Sequence, residues 1–108
     1  MLDEPTTDFV IEVTGEEVQG RLARGEELCL IDVREEDEVE EHRIPGVRHI
    51  SLRELPDRVS EIDPCQETIL VCRSGRRSRI ACKFLMFQGY TNVKNLSGGM
   101  IEWTGEVC

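Results

Sequence analysis

Cys72 is followed within seven positions by Arg73, Arg76, Arg77 and Arg79, with Ser74 and Gly75 among them. Thr68-Ile69-Leu70-Val71, just before it, reads as a buried strand. A helix is expected from Ser78 to about Gln88, so Cys72 to Arg77 forms a strand-to-helix loop. Free backbone N–H groups at a helix start point outward, and the helix dipole adds about half a positive charge there. Gly75 permits a positive φ, which lets several N–H groups converge on one point. A thiol so placed loses its proton more easily than the free value of about 8.5. The same field attracts an anion. Cys72 is therefore the candidate nucleophile, and Arg73, Ser74, Gly75, Arg76 and Arg77 are the candidate substrate-binding residues. A purely structural cysteine is the competing reading.

The elements that must position this loop follow from hydrophobic patterning. Asp8 to Val13 alternates, with Phe9, Ile11 and Val13 on one side, as in a short edge strand. Thr14-Gly15-Glu16-Glu17 fits a capping box for a helix to about Arg24, with Val18 and Leu22 inward and Gly25 ending it. Leu28 to Val33 is a near-continuous apolar run, suited to a strand covered on both faces, with Cys29 as a small buried hydrophobe. Asp32 and Arg34 at its end admit two readings: contact with a ligand at the sheet's carboxyl edge, or an ion pair anchoring the strand end. Glu35 to Glu41 reads as a solvated acidic turn or two of helix. Ile44-Pro45-Gly46 is a turn, Val47 to Ile50 a short strand, and Ser51 can cap a helix over 52–62 that Asp63-Pro64 closes. Asn92 to Leu96 is the last strand, and Ser97-Gly98-Gly99 turns into a short helix carrying Trp103. Arg79, Lys83 and Met86 share the outer stripe of the 78–88 helix, and Cys82 packs inward. Alternating strands and helices give an α/β fold with a small, mainly parallel sheet of about five strands and helices on both faces.

The 108 residues are expected to form one domain, with its core at about 9–104. Formal net charge is −9, unevenly spread. Residues 1–67 hold 7 Lys/Arg against 20 Asp/Glu, whereas residues 68–101 hold 6 Lys/Arg and no acid. An acidic body argues against nucleic acid, and a basic loop set in it argues for a small anion. No apolar run is long enough to span a bilayer, so no membrane partner is expected. Met1 to Pro5 lacks the basic and apolar regions of a secretory leader, which makes the cytoplasm the expected location. Cys29, Cys65, Cys72, Cys82 and Cys108 are odd in number and contain no Cys-x-x-Cys pair, which argues against a disulfide framework. His42 and His49 are seven apart with no close ligand pair, so no metal is expected. Cys65 and Cys108 receive no role.

Four segments in order resemble the rhodanese-like sulfurtransferases. Leu30-Ile31-Asp32-Val33-Arg34-Glu35 is similar to that family's Asp-Val-Arg segment, and Ile44-Pro45-Gly46-Val47 to its Ile-Pro-Gly-Ala turn. Cys72 to Ser78 resembles the active-site loop of single-domain members, and Leu96-Ser97-Gly98-Gly99 with Trp103 the C-terminal Gly-Gly and tryptophan signature. Where the family often has Gly-His before the turn, this chain has His42-Arg43. The resemblance implies that Cys72 takes the outer sulfur of thiosulfate or another anionic sulfur donor and becomes a persulfide. It then passes that sulfur to a thiol, such as that of a small redox or sulfur-carrier protein, or to cyanide. It implies that backbone donors of residues 73–77 cradle the sulfur, and that no cofactor is needed. Two alternatives stand beside it. One is a non-catalytic binding or sulfur-relay module of the same fold. The other is a cysteine phosphatase or arsenate reductase, whose signature places arginine six positions after the cysteine. Here that position is Ser78, and Arg77 falls one short.

Overall fold

The computed structural model describes residues 9–108. Met1 to Pro5 and Asp8, on which the reading of the leader and the start of the first strand fell, lie outside the described residues. Five short strands form one sheet in the order β1-β5-β4-β2-β3, every pair parallel. They are β1 (Ile11–Val13), β2 (Cys29–Asp32), β3 (Arg48–His49), β4 (Thr68–Val71) and β5 (Val93–Leu96). The helices are α1 (Gly15–Ala23), α2 (Glu36–Glu41), α3 (Leu55–Arg58), α4 (Arg76–Phe87) and α5 (Gly99–Glu102). A 3-10 turn, Val59–Glu61, extends α3. Among the described residues no helix is long and apolar enough to cross a membrane.

β4 is central because all four of its residues are apolar or small enough to bury on both faces. Its alternate side chains feed two separate cores. Leu70 joins Ile31, Leu55, Ala81, Leu85 and Val93 beneath α3 and α4. Ile69 and Val71 join Val18, Leu30, Leu96 and Met100 beneath α1 and α5. Helices thus cover both faces, as the alternation requires.

Local signals held where the chemistry was local. The Thr14 hydroxyl accepts from Glu17 N at 3.0 Å and Thr14 N donates to Glu17 Oε1 at 2.9 Å, completing the capping box. β1 is an edge strand as its alternation predicts, with Ile11 and the preceding Phe9 exposed. Several expectations are corrected by the tertiary setting. Leu22 is exposed, because α1 buries only its Val18 stripe. Cys29 is only partly buried, packed at the margin of the α3/α4 core. The helix placed over 52–62 is broken into turns, α3 and the 3-10 segment, with Pro56 in the first turn of α3. Met86 packs against the core rather than outward. Trp103 follows α5 as its C-cap and is not part of it.

Candidate active site

The site lies where β2 and β4 end side by side. Asp32 is in register with Val71, and Val33 N donates to Val71 O at 2.8 Å, carrying the ladder one residue past the strands. The chain leaves β2 toward β3 on one side and β4 toward β5 on the other, so a crevice opens between their carboxyl ends. The Asp32 carboxylate and the Arg34 guanidinium are both buried and bound to each other, with Nη2–Oδ2 at 2.7 Å. Arg34 also donates to His42 O at 2.8 Å and its carbonyl meets His49 Nε2 at 2.8 Å. The ion-pair reading of Asp32 and Arg34 therefore describes their contacts. Arg34 in addition borders a hollow of about 290 Å³ that Glu38, His42, Arg73 and Met100 also line.

Cys72 follows β4 directly. Gly75 takes a φ of +97°, and α4 begins at Arg76, two residues earlier than the apolar pattern alone suggested. The tight turn aims Gly75 N at Cys72 Sγ across 3.1 Å. The Ser78 hydroxyl lies 3.3 Å from the same sulfur. Burial by itself would raise the thiol's pKa. Set against burial are the Ser78 hydroxyl, where its one proton is turned to the sulfur, and the amides of Ser78, Gly75 and Ser74, and the thiol lies below its ordinary value. The other buried thiol shows the contrast. Cys82, on α4 one turn after Ser78 and with no such donors, is pushed up to about 12 by burial.

The loop is held open from behind by the Gly-Gly turn. Met100 N donates to Cys72 O and Ile101 N to Arg73 O, both at 2.9 Å. These bonds turn the loop's carbonyls toward α5, which leaves its N–H groups for the sulfur. Only glycine fits at position 99, since a Cβ there would lie 2.4 Å from Cys72 O. Asn95 ties the same loop from β5, donating Nδ2 to Gly75 O at 3.0 Å and to Glu12 Oε1 at 3.0 Å.

Of the residues singled out in sequence, Cys72 and Gly75 meet directly. Arg73, Ser74 and Arg76 form an exposed rim. Arg77 is turned aside into a two-pronged pair with Glu38 of α2, at 2.8 and 2.9 Å. Arg79 pairs with Glu12 at 2.6 Å. The basic stretch of residues 68–101 is thus partly neutralised by acids from elsewhere in the chain, and the acidic run at α2 is more than a solvated face. Cys72 is fully covered, with 0% exposure, but its packing is not wholly apolar, since the loop donors converge on it. Sequence reasoning missed Asn95 and Glu38 as parts of this site, and it set Ser78 and Gly99 only within family-like segments, with no role of their own. Asn95 next to Leu96 on a short strand that also holds Lys94 gave only a weak signal.

A thiol of lowered pKa at the end of a central parallel strand, under a loop of converging amides, is an arrangement that suits a cysteine nucleophile in an α/β domain. Similarity narrows this. The rhodanese-like domain family matches residues 14–106. A sulfurtransferase of Allochromatium vinosum is 40% identical over 95 residues, covering 88% of this chain and 89% of that one. The thiosulfate sulfurtransferase GlpE of Pseudomonas syringae is 29% identical over 85 residues, 79% of this chain and 80% of its own. The crystal structure of a rhodanese-like domain protein from Staphylococcus aureus matches with a TM-score of 0.84 at 26% identity, covering 90% of this chain and 94% of that one. The chain belongs to the rhodanese-like domain family, whose chemistry in these relatives is sulfur transfer.

Proposed function

We propose that this chain carries sulfane sulfur on Cys72, taking it from thiosulfate or a similar anionic donor and giving it to a thiol. The observation that supports this most directly is the Gly75 amide 3.1 Å from Cys72 Sγ at the start of α4. The thiolate attacks the outer sulfur of thiosulfate. A Cys–S–S bond forms, the bond to the sulfonate sulfur breaks, and sulfite leaves with the bonding pair. The persulfide that results is anionic, and the loop amides that favour the thiolate favour it for the same reason. An acceptor thiolate, or cyanide in an assay, then takes the outer sulfur and returns Cys72 to its thiolate. The cysteine itself carries the group, so no cofactor enters the scheme. Arg73 and Arg76 on the exposed rim draw the donor in, and a reducing compartment such as the cytoplasm supplies acceptor thiols, among them those of small redox or sulfur-carrier proteins.

A second reading is a non-catalytic module of the same fold, and the complete cover over Cys72 favours it. On the transfer reading, the rim at Arg73 and Ser74 parts to admit the donor. Incubation with thiosulfate followed by intact mass separates the two. Transfer predicts one added sulfur atom on Cys72, removed by cyanide as thiocyanate, and none in Cys72→Ser. Absence of the added sulfur and of thiocyanate leaves the binding module. Hydrolysis of an aryl phosphate at a comparable rate overturns both in favour of phosphoryl chemistry.

A further inference from the structure

One hydroxyl stands between Cys72 and Asn95. Ser78 Oγ lies 2.5 Å from Asn95 Oδ1 and 3.3 Å from Cys72 Sγ. A serine hydroxyl has a single proton, so it donates along one of these lines at a time. The amide orientation of Asn95 follows from its other partners. Gly75 O and the Glu12 carboxylate are both acceptors, so the nitrogen faces them and the oxygen faces Ser78. An amide oxygen only accepts, and at the shorter distance it claims the Ser78 proton. What Ser78 then offers the sulfur is a lone pair, which suits a thiol S–H and not a thiolate. Ionisation of Cys72 reverses the preference, because a thiolate takes donors only. Ser78 must then turn its proton to the sulfur and leave Asn95 Oδ1 without a donor. Asn95, Ser78 and Cys72 are all buried, so water does not make up the loss cheaply.

We propose that Asn95 is a positioning residue that competes with the Cys72 sulfur for the single Ser78 proton, and so tunes how readily the nucleophile ionises. This deepens the reading of Cys72 as sulfur carrier and rests on it for its purpose, while its test needs no sulfur transfer. The charged groups around the triad are few. Arg77 of α4 acts on the Cys72 charge and is itself bound by Glu38 of α2. Glu12 of β1 holds Asn95 from the far side and pairs with Arg79 of α4. Asp32 of β2 is taken up by Arg34. All of them are present in every variant compared below, and the double comparison cancels what Asn95→Ala does through Glu12 or Gly75 O.

The experiment is the pH dependence of iodoacetamide alkylation at Cys72, followed by mass on the peptide that contains it. The four proteins are the wild-type chain, Ser78→Ala, Asn95→Ala and the double variant. With Asn95 present, removing the serine removes a donor that was largely committed elsewhere, so the midpoint changes by less than about 0.3 pH units, a factor of about two in thiolate. With Asn95 replaced, the hydroxyl is free to serve the sulfur. Removing it there raises the midpoint by about one pH unit, a tenfold loss of thiolate. Equal effects of Ser78→Ala in the two backgrounds overturn the proposal and leave Asn95 a purely structural tie. If Asn95→Ala does not fold, the wild-type comparison suffices. A rise of about one pH unit or more on Ser78→Ala alone overturns the competition, and a change within about 0.3 sustains it. Loss of persulfide formation alongside the expected midpoints would remove the proposed function and leave the proton competition standing.

Discussion

A methyl group at position 99 would sit 2.4 Å from Cys72 O and 2.6 Å from both C and O of Arg73, whereas ordinary contact begins near 3.4 Å. Gly99→Ala therefore forces the loop and the start of α5 apart by about 1 Å, too far for the Met100 N–Cys72 O and Ile101 N–Arg73 O bonds, now 2.9 Å each, to survive unchanged. Two such bonds are worth about 1 kcal/mol each, and more when their buried acceptors are left unpaired. The φ of +55° at this position adds about 1 kcal/mol of strain for alanine. The sum is about 3–5 kcal/mol, a large part of the roughly 5–15 kcal/mol that holds a domain of this size. Gly89→Ala is the internal control, because Gly89 also has a positive φ, +97°, but a Cβ there meets nothing within 4 Å. It should cost only the strain, about 1 kcal/mol. Urea unfolding measures both losses, with unchanged slopes showing that the midpoint shift is stability. The alkylation midpoint of Cys72 is the second readout. It should rise in Gly99→Ala, because carbonyls released from α5 no longer hold the amides toward the sulfur, and stay put in Gly89→Ala. Equal destabilisation by the two variants, with the Cys72 midpoint unmoved in both, would refute the claim that the Gly-Gly turn shapes the loop.

Asp32→Ala leaves the Arg34 guanidinium buried without its carboxylate, and urea unfolding should register a loss of about 3–5 kcal/mol. Glu67 titrates at about 2 rather than its usual 4.5, because Arg21 first and Lys94 next bind its carboxylate more strongly than burial opposes it. Its folded value is depressed, so the stability it contributes is complete above pH 4.5 and drains away as pH falls toward 2. Glu67→Gln should lower stability at neutral pH and flatten that acid limb in urea titrations. Arg73→Ala and Arg76→Ala should each lower kcat/KM for thiosulfate severalfold, with added salt bringing the wild-type rate toward the variants, since exposed charges are screened over about 8 Å at physiological strength. Arg77→Ala should do more damage than either, because it also leaves Glu38 as an unbalanced negative charge beside the loop.

Short-range patterning carried much of the fold. Thr68 to Val71 is a strand at the limits its apolar run marks, and Thr14 and Glu17 cap α1 because both partners lie within one turn. The start of α4 was misjudged by two residues because Arg76 and Arg77 carry no apolar signal. The left-handed turn at Gly75 starts the helix, and hydrophobic period is silent about turns. Leu22 and the 52–62 segment went astray for a related reason. Periodicity assigns a face, but what lies opposite that face depends on other elements.

The meeting of Cys72 with the Gly75 amide was legible because thiol, turn and helix start are contiguous, and contiguous residues cannot be moved far apart by folding. Arg77 meeting Glu38, Asn95 reaching Glu12, and the α5 amides receiving the carbonyls of Cys72 and Arg73 join residues distant in the chain. Those meetings exist because parallel strands bring their carboxyl ends to one edge, in an order, β1-β5-β4-β2-β3, that no local pattern encodes. Residue types along the chain thus determined that a thiol would face converging amides. Only the sheet order decided which distant side chains would tie its loop and offset the loop's charges, since hydrogen bonds and ion pairs act over a few ångströms of space, whatever the separation along the chain.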